Sequence, residues 1–470
     1  MHGVLRRSLI ALLAALAAGC QHPAPLPLSV SETADAVAAR SLSDPGLRAL
    51  LESRRGGALE QWPLRRWDLD DLTLAAVYTQ ASLDVARRHV EVAQAGIVTA
   101  AERPNPNLSV SPELSANPGV GVSPWLATVQ IDWPIETAGK RERRIEHAQA
   151  AEAASRLAVP VEAWRIRLAL RTAVADYIAA SARERALAAE LDQQRRRGEL
   201  LAQRFTEGAA SQVDASLVRV AAMQAEVDLT RAIQQRLDAH ARVAAAIGVP
   251  EIALDGIEID RDLAAGADPL LRLAGDDARS AALRQRWDVR RAAAAYEVSE
   301  AALKLEVAKQ VPDIHLGRGY QLDEGQNKFA LGLAVDLPIL NQNEGPIAEA
   351  QAARREAASR VVETQTRALA EVELALAHRR GAAEEERSMR ALVDEQAARR
   401  ARAHAAFSLG AVGALGVADA EIELHRAELA WIDAQARVEQ ALTELEAAVQ
   451  GENPAVDAAQ AVAAAAGSRP

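Results

Sequence analysis

The chain has 470 residues; over a fifth are alanine and only 3% aromatic, with 49% hydrophobic and 25% charged residues overall. That composition excludes general disorder and argues against several ordinary cores, which need bulky side chains to fill them; alanine suits slender helices packed along their length. The net charge of −11 disfavours nucleic acid as a partner, because phosphate recognition needs clustered Lys and Arg.

In chain order, Arg6 and Arg7 precede an apolar run from Leu9 to Ala18, which ends in Ala17-Ala18-Gly19-Cys20. A basic start, a short apolar stretch and small exit residues predict a signal peptide over residues 1–19, too short to span as a mature helix. The chain's one cysteine follows directly, a placement that resembles a bacterial lipobox, with Cys20 the lipidated first residue of the mature chain and Gln21 favouring the outer membrane. Ordinary cleavage with an incidental thiol is the alternative. One cysteine permits no intrachain disulfide. No later stretch has the roughly 18 apolar residues of a membrane helix, so a bilayer would be crossed by strands.

Beyond an N-terminal segment (20–70), the chain is written twice. Asp84-Val85 matches Asp288-Val289, Ile131-Asp132-Trp133-Pro134-Ile135 matches Val335-Asp336-Leu337-Pro338-Ile339, and Phe205-x-x-Gly208-Ala209 matches Phe407-x-x-Gly410-Ala411. The first repeat (71–248) predicts a helix from about Asp71 to Glu102, stopped at Pro104-Asn105-Pro106, then strands near 107–115 and 125–133. A very long helix follows from Gly139 to Phe205, and a last helix from Gln212 to Ile247. A linker (249–276) leads to the second repeat (277–450): helix Asp277 to Gln310, strands near 313–322 and 328–337, then helices Pro346 to Phe407 and Val417 to Gln450. Pro160 and Gly381 predict kinks in the long helices, and the Ala-rich tail (451–470) reads as loosely ordered.

The strands alternate with period two: Trp125, Ala127, Val129, Ile131 and Trp133 share one face, and Phe329, Leu331, Leu333, Val335 and Leu337 do the same. A wall between lipid and a wet lumen has this pattern, as does a soluble half-buried sheet. Four strands cannot close a membrane barrel, which needs at least about 8, and an open edge cannot face lipid. Three copies would supply twelve strands and twelve helices, making one tube.

On the duplicated plan, the Pro104-Asn105-Pro106 stop, the paired Asp-x-Pro-Ile strand exits and the Phe-x-x-Gly-Ala turns, the chain resembles the TolC family of outer-membrane efflux channels over nearly its whole mature length. Glu136-Thr137-Ala138-Gly139-Lys140-Arg141 resembles the CzcC-like heavy-metal branch; the second repeat has Leu340-Asn341-Gln342-Asn343-Glu344-Gly345 there, so this motif occurs in one copy. The resemblance implies a mainly α fold with short membrane β segments: long-helix hairpins form an α-barrel, and two β-hairpins per chain contribute to a trimeric 12-stranded outer-membrane β-barrel. It also implies a homotrimer set in outer-membrane lipid that receives substrate, heavy-metal cations in that branch, from an inner-membrane RND-type pump through a periplasmic adaptor.

No catalytic constellation, cofactor motif or metal-ligand cluster is evident. The mature histidines are scattered without an i, i+4 pair, and an enzyme is not expected. Phe205, Gly208, Ala209, Phe407, Gly410 and Ala411, at the turns, would offer a shallow apolar groove to an adaptor's helical hairpin, or simply cap the helices. Asp132 and Asp336, on the expected lumen face, would give six carboxylates in three copies, a cation-favouring ring; hydrogen bonding at the strand exits is the other reading. A TolC-like channel for drugs or secreted proteins, and a non-channel coiled-coil scaffold or adaptor, are the alternatives in function.

Overall fold

The computed structural model describes residues 24–117, 121–261, 263, 275–323, 325–451, 456, 457 and 459. The signal peptide, Cys20 and most of the C-terminal tail lie outside the described residues.

Two short helices lead in, α1 (Val30–Ala38) and α2 (Pro45–Arg55), capped by the side chains of Ser29 and Asp44. Strand β1 (Arg66–Trp67) pairs in parallel with β4 (Glu258–Ile259), so a strand before the first repeat and one from the linker meet. The first repeat contains α3 (Leu69–Thr79), α4 (Ala81–Ala101), β2 (Asn107–Leu114), β3 (Trp125–Ile135), α5 (Lys140–Arg156), α6 (Ala158–Thr206) and α7 (Gln212–Ile247). The second contains α8 (Gly275–Arg284), α9 (Trp287–Ala308), β5 (Ile314–Asp323), β6 (Gln326–Val335), α10 (Glu344–Ser408) and α11 (Ala414–Val449). None of the helices among the described residues is long and apolar enough to cross a membrane.

Four details depart from the sequence-based expectation. The helix expected over Asp277 to Gln310 is split into α8 and α9 at Gln285 and Arg286, where the Arg286 guanidinium is held by Asp288 (2.8 Å) and Glu371 (2.6 Å). The helix expected over Asp71 to Glu102 breaks at Gln80, which adopts an extended backbone. Its side-chain amide donates instead to the carbonyls of Ala245 (3.0 Å) and Ala246 (2.7 Å) at the end of α7. The break expected at Pro160 falls at Leu157, because a proline lacks the N–H that the Arg156 carbonyl would accept and its ring crowds that carbonyl. Gly381 interrupts nothing, and α10 runs through it for 65 residues.

At 1.5 Å per residue α10 is about 98 Å long. It packs on α11, α11 on α6, and α6 on α7, leaving α10 and α7 as the outer members of a row of four long helices. The principal core lies at the belt where α3, α6 and α7 meet the linker, and there the two largest buried side chains, Trp67 and Trp164, are found. Ion pairs replace aromatics on the α6–α11 contact. Arg167 donates to Glu446 (2.6 Å) and Asp70 (2.8 Å), while Arg171 donates to Thr443 (3.0 Å) and stands 3.2 Å from the other Glu446 oxygen. Arg167, Arg171 and Glu446 are all buried.

The four long strands form one antiparallel sheet in the order β2-β3-β5-β6, joining the hairpins of the two repeats through β3 and β5. Both outer edges, β2 and β6, are unpaired among the described residues.

Candidate functional site

The sheet hands over to the helices at a junction built by the Glu136–Arg141 segment. Ala138 (φ 54°) and Gly139 (φ 68°) are both left-handed, turning the chain from β3 into α5. The turn presents Thr137, whose N–H donates to Asp313 Oδ1 (3.0 Å) and whose hydroxyl donates to the Pro312 carbonyl (2.7 Å). Lys140, buried, donates to the same Asp313 oxygen (2.7 Å). Arg141 donates to the Ala101 carbonyl (2.7 Å), and Arg144 reaches Glu102 and is paired with Glu136. The motif thus clamps the ends of both incoming helices, one from each repeat. Burial works to raise the Asp313 carboxyl, but the Lys140 and Thr137 hydrogen bonds outweigh it and hold the pKa below the ordinary carboxylate range.

Along the sheet one face is apolar: Leu108, Val110 and Leu114 align with Ile131, Val129 and Trp125, and the row continues through Leu316 and Tyr320 to Leu333 and Phe329. Arg318, between Ile131 and Leu331, is its charged exception, a position a long side chain tolerates by laying its aliphatic stem on the apolar surface. The opposite face carries Thr128, Gln130, Asp132, His315, Gln321 and Lys328 with Gly317 and Gly332. Asp132 lies on this polar face and bonds His315 Nδ1 (2.8 Å). Asp336 is exposed just past the end of β6.

At the far end of the helices, both turns close with the same hydrogen-bond pattern. Ala209 donates to the Arg204 carbonyl (2.7 Å) and Gly208 to that of Phe205 (3.0 Å); Ala411 donates to Ala406 (2.9 Å) and Gly410 to Phe407 (3.0 Å). Gly208 and Gly410 are left-handed (φ 74° and 73°), as this type of cap requires. Phe205 and Phe407 remain 45% and 48% exposed, so capping accounts for the glycines and leaves the rings available. The start of α7 has a reciprocal box in which Ser211 and Asp214 cap each other, so Asp214 is occupied locally. Asp419 pairs with Arg197 of α6 (2.8 Å), tying the two hairpins together near the turns.

Residue types alone flagged the turns and the strand exits. They missed Asp313 and His315, whose partners lie more than 170 residues away, and Leu409, which stands 84% exposed in the second turn where the first has Glu207. The Asp313 position could have been found as the residue after the strand-leading Pro312, as Asn107 follows Pro106. Among the described residues no group of three or more His, Cys, Asp or Glu is placed to hold a metal ion.

Comparison with known proteins follows the same geometry. The family described as outer membrane efflux protein matches residues 76–249 and 278–451, one match per repeat. The cobalt-zinc-cadmium resistance protein CzcC of Cupriavidus metallidurans is 26% identical over 284 residues, covering 58% of this chain and 65% of that protein. In fold, a membrane protein of Pseudomonas aeruginosa superposes with a TM-score of 0.67 at 21% identity, covering 82% of this chain and 92% of that one. The outer membrane protein VceC of Vibrio cholerae gives 0.64 at 20% identity, with 82% and 96% covered. With both repeats matched, the chain belongs to the outer membrane efflux protein family.

Proposed function

We propose that the protein is the outer-membrane channel of a tripartite efflux system, passively conducting substrate from an inner-membrane pump and periplasmic adaptor to the exterior. The observation that carries this reading is the four-stranded sheet with one apolar and one polar face and two open edges, continued by a row of four long helices. Three copies would close the strands into a lipid-facing barrel with a polar lumen and the helices into a tunnel below it. Heavy-metal cations are the proposed substrate class, supported by the likeness to CzcC. The lack of a chelating cluster among the described residues suits conduction, which favours weak multiple contacts over a tight site. Cys20 would carry the lipid anchor, the Phe205 and Phe407 turns would receive the adaptor's helical hairpin, and Asp132 with Asp336 would form the lumen carboxylates.

Deleting the gene in its host tests the reading. Restored resistance to cobalt, zinc or cadmium on complementation is expected. Sensitivity to hydrophobic drugs alone, with metal tolerance unchanged, would replace the metal substrate with drugs, and no change in any efflux phenotype would contradict the channel.

A further inference from the structure

The internal repeat fixes how one copy meets the next. In the sheet, β6 follows β3 by 204 residues, as Asp132 and Asp336 show, and β5 follows β2 by 206, as Pro106 and Pro312 show. The hairpin registers require the same pair of offsets, since Leu108 aligns with Ile131 and Ile314 with Val335. Hydrogen-bond alternation supplies an independent check. Ser115 donates to the Pro124 carbonyl across the first hairpin, so the even-numbered residues of β2 turn their backbone groups to the open edge. Carried through the sheet, the same alternation turns the odd-numbered residues of β6 outward. Pro112, which has no N–H to give, falls on that free edge, where a strand proline is tolerated.

We infer that the seam between two copies repeats the β3–β5 seam inside the chain, pairing Leu333 with Leu114, Ala334 with Glu113 and Asp336 with Ser111 of the neighbouring copy. This deepens, and rests on, the three-copy reading above. The register joins outward-facing backbone groups to outward-facing ones, and it continues the apolar face unbroken. It also predicts that the second seam lacks the lock of the first: the positions of Lys140, Asp313 and His315 are taken there by Glu344, Asn107 and Ser109. Among the helices, the turns set the equivalence at 202 residues, from Phe205 to Phe407. Val220 on α7 is 63% exposed whereas its counterpart Ile422 on α11, packed against α6, is 2% exposed; the neighbour's α10 covers Val220. The Arg183–Asp433 bridge inside the chain (2.5 Å) has its charges exchanged at the outward seam, where Glu385 meets the neighbour's Arg231 and leaves its present partner Arg437.

Cysteine pairing tests the register in the full-length protein. Ala334→Cys with Glu113→Cys is a non-hydrogen-bonded pair with close Cβ atoms and is expected to give covalent oligomers on mild oxidation; each single variant controls for Cys20. Linkage instead by Ala334→Cys with Ser111→Cys, or no linkage in a protein of three-copy mass, overturns the register and leaves the three-copy reading standing. A monomer by native mass spectrometry overturns both. For the helices, Arg231→Glu is expected to lower the temperature at which the detergent-resistant oligomer separates, and Arg231→Lys to restore it; an unchanged temperature in Arg231→Glu removes the Glu385 contact.

Discussion

The two strand-to-helix junctions share one left-handed position and differ in the residue before it, left-handed at Ala138 but not at Gln342, and in what they hold. Gly139 and Asn343 occupy equivalent left-handed positions before α5 and α10. Each junction ties itself to the helix end of its own repeat, through Arg141 to Ala101 in the first and through the Asn343 amide to the Glu306 carbonyl (2.7 Å) in the second. Among the described residues, only the first also reaches across to the other repeat, with Thr137 and Lys140 on Asp313. The second presents Leu340 fully exposed where the first has Glu136 paired with Arg144. Gly139 and Asn343 turn the chain at the same point; on the three-copy proposal, the difference in side-chain chemistry would follow from whether the neighbouring repeat belongs to the same chain.

The largest expected effect comes from the contact between the repeats that has no equivalent on the outer helices. Glu446→Ala leaves the buried Arg167 and Arg171 without their shared carboxylate and should destabilise the fold by about 3 kcal/mol, read as a lower denaturation midpoint. Leu369 and Ala244 stand at the equivalent positions of Arg167 and Glu446, and Leu369→Ala should cost far less in the isolated chain. A similar loss from both would erase the distinction.

Next is the pair of turns. Gly208→Val and Gly410→Val meet open space but a left-handed backbone, so each should cost about 1–2 kcal/mol. On the docking proposal, efflux and adaptor crosslinking should fail while the oligomer still assembles. Retained transport would limit the glycines to capping, and Phe205→Ala with Phe407→Ala would then be expected to leave transport intact too.

At the junctions, Lys140→Met should lower thermal stability, whereas Glu344→Met should leave the isolated chain unchanged. The first effect carries a pH signature. Because Asp313 has its pKa lowered in the fold, its clamp contributes stability above the ordinary aspartate range and loses it as pH falls through the depressed value. The stability gap between wild type and Asp313→Asn should therefore close on acidification; a constant gap would mean that the charge contributes nothing. The smallest change is expected from Asp132→Asn with Asp336→Asn, which should reduce cation over anion selectivity in single-channel recordings with little effect on assembly. Unchanged selectivity would leave these carboxylates with hydrogen bonding alone, which the Asp132 contact to His315 already illustrates.

What was legible in the sequence follows from how local each cause is. The helix from Gln212 to Ile247 is bounded by a Ser211 cap and by Gly248 in the left-handed region, both readable from residue type. The Phe-x-x-Gly-Ala turns were equally legible, because a helix reversal needs glycine there. The break at Gln80 was not, since its amide is recruited by carbonyls 165 and 166 residues away. Nor was the clamp: Glu136–Arg141 resembled a family motif, but its partner Asp313 carries no local signal of the contact. Gly381 shows the converse, a residue type that suggests an interruption in a helix that runs unbroken through it and packs on α11.

The central claim is that the chain is one third of a closed tube. Electron cryomicroscopy of the full-length protein in lipid nanodiscs tests it most directly. The account predicts three copies around one axis, with twelve strands closing a barrel in the lipid and the long helices continuing its lumen below. A monomeric particle, or an assembly whose strands leave the sheet edges β2 and β6 open, would contradict it.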